Sequence, residues 1–320
     1  MFYNNIRRLM KFKIVQDPCY LIDGLVDCVA VGLYELGHQV NLPPHKSYLL
    51  GEKKLPPAFE CFTGNIENYD GQTYDLSIVA LPYSGAISGQ YIVLDGGDTP
   101  DISYRFLKNC LVYFKREKAR QDPSIFPLSR TSVARFIKQK LIRPYQRKIF
   151  GLSLSTLVKP VDAISEKEWD VGYIGSDKYG RRQFIQIVQN FDVRHYIRVS
   201  SYYMAPNQVM PMSSYLEILK RCRAVLCPYG AGQDTYRLWE TLASGAIPLL
   251  QQFTIEMTPD LTHGENALIF NDRNSLITCL EIVKNNDTRE MAANALHFFN
   301  SYHTPKCRAQ QLLNVLESLK

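Results

Sequence analysis

YLEILKRCRAVLCPYGAGQDTYRLWETLASGAIPLLQQ, residues 215–252, parses as helix, buried strand, glycine-bearing loop, helix and strand. A first helix, from about Ser214, ends near Cys222. Ala224–Tyr229 is a short apolar run whose length suits a strand covered on both faces. Gly230 and Gly232 then supply backbone that turns sharply and can approach a ligand closely. Asp234 stands where an N-cap belongs, Thr235 opens a second helix, and Gly245 closes it where a left-handed residue is favoured. Ala246–Leu250 is read as the next strand. A strand, glycine turn and helix N-terminus in that order present free backbone N–H groups and the positive end of a dipole, a site suited to phosphate.

On the second helix Arg237, Glu240 and Ser244 recur at spacings of three and four and share one face, while Leu238 and Leu242 share another. Two readings fit this pattern: a solvated intrahelical ion pair, or a polar face turned toward a phosphate-bearing ligand. The glycine loop immediately upstream favours the ligand. The motif G-x-G-x-D-T-x-R-x-W-E-x-L-A-x-G-x-I-P-L resembles the donor-binding segment of GT-B fold glycosyltransferases, closest in wording to exostosin-like and family 1 sugar transferases, over about forty residues. The resemblance implies that Tyr229, Gly230, Gly232, Asp234, Thr235 and Arg237 lie against the diphosphate of a nucleotide sugar and that Glu240 holds its ribose. Retaining members of that family often carry a second glutamate eight residues before the first. Here that place is Gly232.

The chain has 320 residues, 46% hydrophobic and 21% charged, enough for about two domains. The basic start MFYNNIRRLMKFKIV leads into polar QDPCY instead of an apolar signal core, and no run of about 18 apolar residues occurs. Eight cysteines are scattered without metal-type spacing, as expected of reduced thiols in a cytoplasmic protein. Six histidines show no metal spacing and there is no D-x-D triplet, which fits a metal-independent reaction in which helix dipoles and arginines stabilise a leaving diphosphate. No cofactor is expected: the nucleotide-diphosphate sugar, with UDP-sugars among the candidates, is a substrate. Net charge is +6, unevenly placed, because the run from Lys115 to Lys148 holds eleven Lys/Arg against Glu117 and Asp122. Three readings compete for that run: a solvated face over core, a surface docking peripherally on anionic lipid, and a site for nucleic acid.

From the N-terminus, Phe12–Gln16 (strand), Gly24–Leu36 (helix) and HQVNLPP (strand into turn) form a βαβ start without G-x-G-x-x-G, which disfavours a dinucleotide-dependent dehydrogenase. Strands follow at Leu76–Leu81, Tyr91–Leu94 and Leu111–Phe114. The second of these runs into DGGDTPD, Asp95 to Asp101, a loop at the end of a strand where open α/β sheets place ligands. Sugar transfer to a hydroxyl needs a base or a carboxylate near the reacting carbon, and Asp98 is the first candidate, with Asp95 and Asp23 behind it. Turn-forming aspartates beside glycines are the competing reading for each. Ser132–Phe150 reads as a basic amphipathic helix broken at Pro144, and Gly151–Asp162 as the linker between domains.

A second domain begins with the strand Trp169–Ile174, the turn GSDKYG and a helix from about Arg181. Gly175, Ser176, Arg181 and Arg182 form the other half of a diphosphate clamp, since a guanidinium binds phosphate oxygens bidentately. A strand at His195–Ser200, a loop THGEN before a strand at Ala267–Phe270, and helices over 274–284, 288–300 and 306–320 complete the chain. The expected architecture is α/β, two Rossmann-like domains facing a cleft: an acceptor-binding domain (1–158), a nucleotide-sugar-binding domain (159–304) and a terminal helix (305–320) crossing back to the first. The expected function is transfer of a glycosyl group to a hydroxyl of a glycan or lipid-linked acceptor. The alternatives are a glycosyltransferase acting on hydroxymethylated DNA bases, a nucleotide-sugar epimerase, and an inactive nucleotide-sugar-binding subunit.

Overall fold

A computed structural model of the chain describes residues 9–17, 24–41, 74–120, 140–200 and 210–319. They form two compact units, one of 1–155 with 305–320 and the other of 156–304. The chain leaves the first unit after Ser155, slightly ahead of the boundary read from sequence, and re-enters it at Pro305.

Unit 1 is a parallel sheet of β1 (Lys11–Val15), β2 (Gln39–Asn41), β3 (Leu76–Ala80), β4 (Tyr91–Asp95), β5 (Tyr113–Lys115) and β6 (Ile149–Gly151), in the order β2-β1-β3-β4-β5-β6. Its strands are near-continuous apolar runs, as strands covered on both faces must be: all five residues of β4 are buried. Helix α1 (Gly24–Glu35) is buried along almost its whole length and ends before Gly37, at φ 89°. β6 falls where sequence suggested helix and linker. At Pro144 the α-helical geometry of 140–142 has given way to a tight turn at Arg143–Lys148, after which Ile149, 3% exposed, pairs in parallel with Tyr113. Leu152 and Leu154, 2% and 1% exposed, continue this packing and Leu152 N–H bonds to Lys115 O at 3.1 Å, so this part of GLSL is sheet edge and core, not linker.

Unit 2 is a second parallel sheet, β7 (Trp169–Gly175), β8 (His195–Val199), β9 (Cys222–Cys227), β10 (Ile247–Gln251) and β11 (Leu268–Phe270), ordered β11-β10-β9-β7-β8. Its helices are α2 (Arg181–Asn190), α3 (Met212–Lys220), α4 (Tyr236–Ala243), α5 (Arg273–Asn285) and α6 (Arg289–Phe298). Helix α4 buries Leu238, Trp239, Leu242 and Ala243, and Gly245, at φ +67°, releases the chain into β10. The terminal helix α7 (Pro305–Glu317) belongs to unit 1 and packs on α1, where Gly32 lies so close to the Pro305 carbonyl that any larger residue would collide with backbone.

Each sheet reverses its strand order once. In unit 2 the chain moves from β7 outward to β8 and then returns to place β9 on the other side of β7, and in unit 1 β1 stands likewise between β2 and β3. The carboxyl ends of the strands flanking such a reversal open a crevice between diverging connections, where open α/β sheets hold ligands.

Candidate functional site

In unit 2 the loops leaving β7 and β9 border that crevice, and they carry both halves of the expected clamp. Gly175 ends β7 at φ +154°, and a Cβ there would collide with the Arg237 guanidinium. Across from it, a Cβ on Gly230 would come within 2.8 Å of Arg181 Nη2. Glycine at these two positions is therefore what lets arginines from α2 and α4 pass against the loop backbones. Arg181 is 9% exposed and donates from Nε to Tyr229 O at 2.6 Å and from Nη1 to Ser176 Oγ at 3.3 Å. Its turn is held in left-handed geometry at Tyr179 (φ 59°) and Gly180 (φ 76°), with the Tyr179 ring 5.7 Å from the guanidinium. Arg237 donates from Nη2 to Ile174 O at 2.8 Å, lies 4.6 Å from the centre of the Tyr173 ring, and has a buried Nε without a hydrogen-bond partner.

Neither guanidinium has a carboxylate within salt-bridge distance among the described residues. Burial lowers the pKa of Arg181 and the neighbouring Arg237 lowers it further. Burial acts on Arg237 in the same direction, but Tyr173, Tyr215, Cys227 and Glu240 outweigh it and raise its pKa. Helix α4 starts beside them with Thr235, not Asp234, at the N-cap, and the Thr235 side chain makes no capping hydrogen bond. Two cations and a helix N-terminus thus share one crevice.

Glu240 is 7% exposed and accepts a hydrogen bond from the Tyr215 hydroxyl of α3 at 2.7 Å. Burial pushes its carboxyl up, opposed by the Tyr215 hydrogen bond and by Arg237. Gly232 shapes the loop by accepting Gly230 N–H at 2.7 Å, and the Tyr229 hydroxyl is tied to Gln252 O.

Two residues expected at the phosphate stand elsewhere. Asp234 is 2% exposed and accepts the indole N–H of Trp239 at 2.7 Å, so it anchors the core side of α4. Arg182 projects into solvent and is bound by Asp177 through Nε at 2.8 Å and Nη2 at 2.6 Å, which neutralises it. Residues one apart in a helix point about 100° apart, so Arg181 and Arg182 could not both enter the crevice.

Among the carboxylates of unit 1, Asp95 is 7% exposed and fully engaged: Oδ1 accepts from Lys115 Nζ at 2.8 Å and Gly97 N at 3.0 Å, and Oδ2 from the Tyr113 hydroxyl. It braces β4 against β5, with three of its about four acceptor sites taken by protein donors. Lys115 and Arg116, the first residues of the basic run, are 1% and 5% exposed. Asp98 is half exposed and paired with Arg116. Asp23 lies outside the described residues, as does the basic segment from 121 to 139. The unit 1 reversal holds a pair that sequence reasoning did not single out, Asp17 accepting from Ser84 Oγ at 2.9 Å. Tyr215 and Tyr173 were also missed: Tyr215 is read as part of a helix and Tyr173 as part of an apolar strand, and neither pattern tells which polar group a tyrosine hydroxyl or ring will meet.

Residues 161–314 match the model of a family described as glycosyl transferase-like. No curated protein sequence matches the chain. Among solved structures, HepE of Anabaena in complex with UDP and glucose aligns over 97% of this chain and 100% of its own at 11% identity, with a TM-score of 0.51. Sucrose-phosphate synthase from Thermosynechococcus elongatus aligns over 98% of this chain and 99% of its own at 12% identity, with a TM-score of 0.50. TarM is longer, and the chain spans 54% of it. The fold is therefore GT-B. Within it, residues 161–314 are the glycosyl transferase-like part, which includes the whole crevice between β7 and β9.

Proposed function

We propose that the protein transfers a glycosyl group from a nucleoside diphosphate sugar, bound in the β7–β9 crevice, to a hydroxyl of a glycan or lipid-linked glycan, without a divalent metal. The observation that carries this reading is the convergence of Arg181 and Arg237 beside Gly175, Gly230 and the N-terminus of α4, with no carboxylate within salt-bridge distance of either among the described residues. A diphosphate supplies the missing charge, and it accepts from Arg237 Nε, the buried donor left unpaired. As the acceptor oxygen forms its bond to the anomeric carbon, the bond from that carbon to the phosphate oxygen breaks and its electron pair leaves with the diphosphate. The two guanidiniums and the helix N-terminus stabilise that charge, which is why a metal is dispensable. Asp98, more exposed than Asp95, takes the acceptor proton.

UDP-sugars are the first donors to test, because a structural neighbour was solved with UDP and glucose. Lys115 and Arg116 are used inside unit 1 and do not serve a lipid or nucleic-acid surface. The buried thiols of Cys110, Cys222, Cys227 and Cys279, which form no disulfide, suit a reducing compartment such as the cytoplasm, and no helix among the described residues is long and apolar enough to cross a membrane. The test is nucleoside diphosphate release from UDP-glucose, UDP-N-acetylglucosamine and GDP-mannose with EDTA present. Release from one donor at a rate EDTA leaves unchanged, and faster with a glycan acceptor, is the expected result. Activity restored only by added Mg²⁺ or Mn²⁺ would contradict the metal-independent reading.

A further inference from the structure

Glu240 is bound asymmetrically. Its Oε2 accepts from the Tyr215 hydroxyl at 2.7 Å, whereas Oε1 accepts no hydrogen bond among the described residues. Tyr215 comes from α3, an element separated from α4 by β9 and the glycine loop, so the bond fixes the carboxylate by a second, independent attachment. Burial raises the pKa of Tyr215 well above its usual value, with Glu240 adding to the effect, so the hydroxyl stays protonated and can only donate to Oε2. One carboxylate oxygen is thus held by protein, which leaves the other for a ligand hydroxyl.

Resting on the donor reading above, we infer that Tyr215 is a positioning residue for the sugar of the nucleotide: by holding Oε2 of Glu240 it aims Oε1 at a ribose hydroxyl and makes the site select ribonucleotides over 2′-deoxyribonucleotides. The selectivity follows from a general asymmetry. A buried carboxylate placed to accept from a hydroxyl is left with an unmet hydrogen bond when that hydroxyl is absent, and the loss is larger when the carboxylate cannot swing to another donor. The other groups facing Glu240 are Arg237 on its own helix and Cys227 on β9. Arg237 favours the ionised carboxylate, and the Cys227 thiol, whose pKa burial pushes up to about 11, stays neutral.

The experiment is calorimetric titration of the full chain with UDP, GDP, ADP and CDP, then with the 2′-deoxy form of the tightest binder, for the wild type, Tyr215→Phe, Glu240→Gln and the double variant. Expected for the wild type is a preference for the ribonucleotide of about tenfold or more. Tyr215→Phe should weaken the ribonucleotide while leaving the deoxynucleotide nearly unchanged, so that the preference falls toward one. Its effect should vanish when Glu240 is already Gln. Removing the hydroxyl also removes a bond that lowers the Glu240 pKa, so ribonucleotide affinity should begin to fall at higher pH in the variant than in the wild type. Equal weakening of both nucleotides by Tyr215→Phe, or no weakening, overturns the positioning role while leaving the donor site intact. A wild type that binds none of the four diphosphates overturns the donor reading itself, and the inference with it.

Discussion

Asp95 and Asp98 stand three residues apart in DGGDTPD and look equivalent as text. Cross-strand neighbours separate them: the side chains of Tyr113 and Lys115 on β5 reach Asp95, while Asp98, half exposed in the loop beyond β4, meets Arg116. No spacing rule carries that information, because the partner strand and its register are set by tertiary packing. The same holds for Asp234, which sequence places at a cap and Trp239 draws into the core, and for Arg182, rotated away from the crevice that Arg181 enters. The two glycines that make room for guanidiniums were by contrast legible, because a strand running into glycine and then a helix has few other physical uses. Asp95→Asn should cost about 3 kcal/mol or more of stability in urea unfolding, since it leaves Lys115 buried without its counter-charge. Asp98→Asn should leave the midpoint nearly unchanged and abolish turnover while donor binding persists. Comparable activity in Asp98→Asn and wild type would remove Asp98 from the mechanism.

At the scale of elements, most strands and helices were readable from apolar runs, and their ends came within a few residues of the observed ones. β6 was not, because three residues at a sheet edge leave too short a pattern to stand out beside a basic stretch. One contact between elements has a measurable signature. Lys167, just before β7, donates from Nζ to Lys220 O at the end of α3 and to Gly245 O just beyond α4, both at 2.8 Å, and so ties the exits of two helices together. Burial lowers its pKa to about 8. The unfolded chain holds this proton up to about 10.5, so between these values the unfolded state binds more protons than the native state and stability rises with pH. Below pH 8 both states carry the proton and the cost of the buried ammonium is paid in full. The unfolding free energy of the wild type minus that of Lys167→Met should therefore increase from pH 7 to 10, by on the order of 1–2 kcal/mol once partial solvent access is allowed for. A difference that stays flat or declines over that range would show that Lys167 keeps an ordinary pKa.

For the molecule as a whole, alternating strands and helices without a dinucleotide fingerprint were enough to indicate two Rossmann-like sheets, and the positions of the glycine loops relative to them were enough to nominate the second sheet for the donor. Sequence could not show that each chain reversal lies between a strand and its two neighbours in the observed orders, and those orders are what bring the β7 and β9 loops side by side. The central claim is that Arg181 and Arg237 await a diphosphate in that crevice. It is tested most directly by calorimetric titration of wild type, Arg181→Ala and Arg237→Ala with UDP, GDP, ADP and CDP at two salt concentrations. The prediction is that at least one diphosphate binds the wild type and that each substitution weakens it about tenfold or more, with less dependence on salt than in the wild type, since a charge contact has gone. Wild-type binding that neither substitution weakens would contradict the claim.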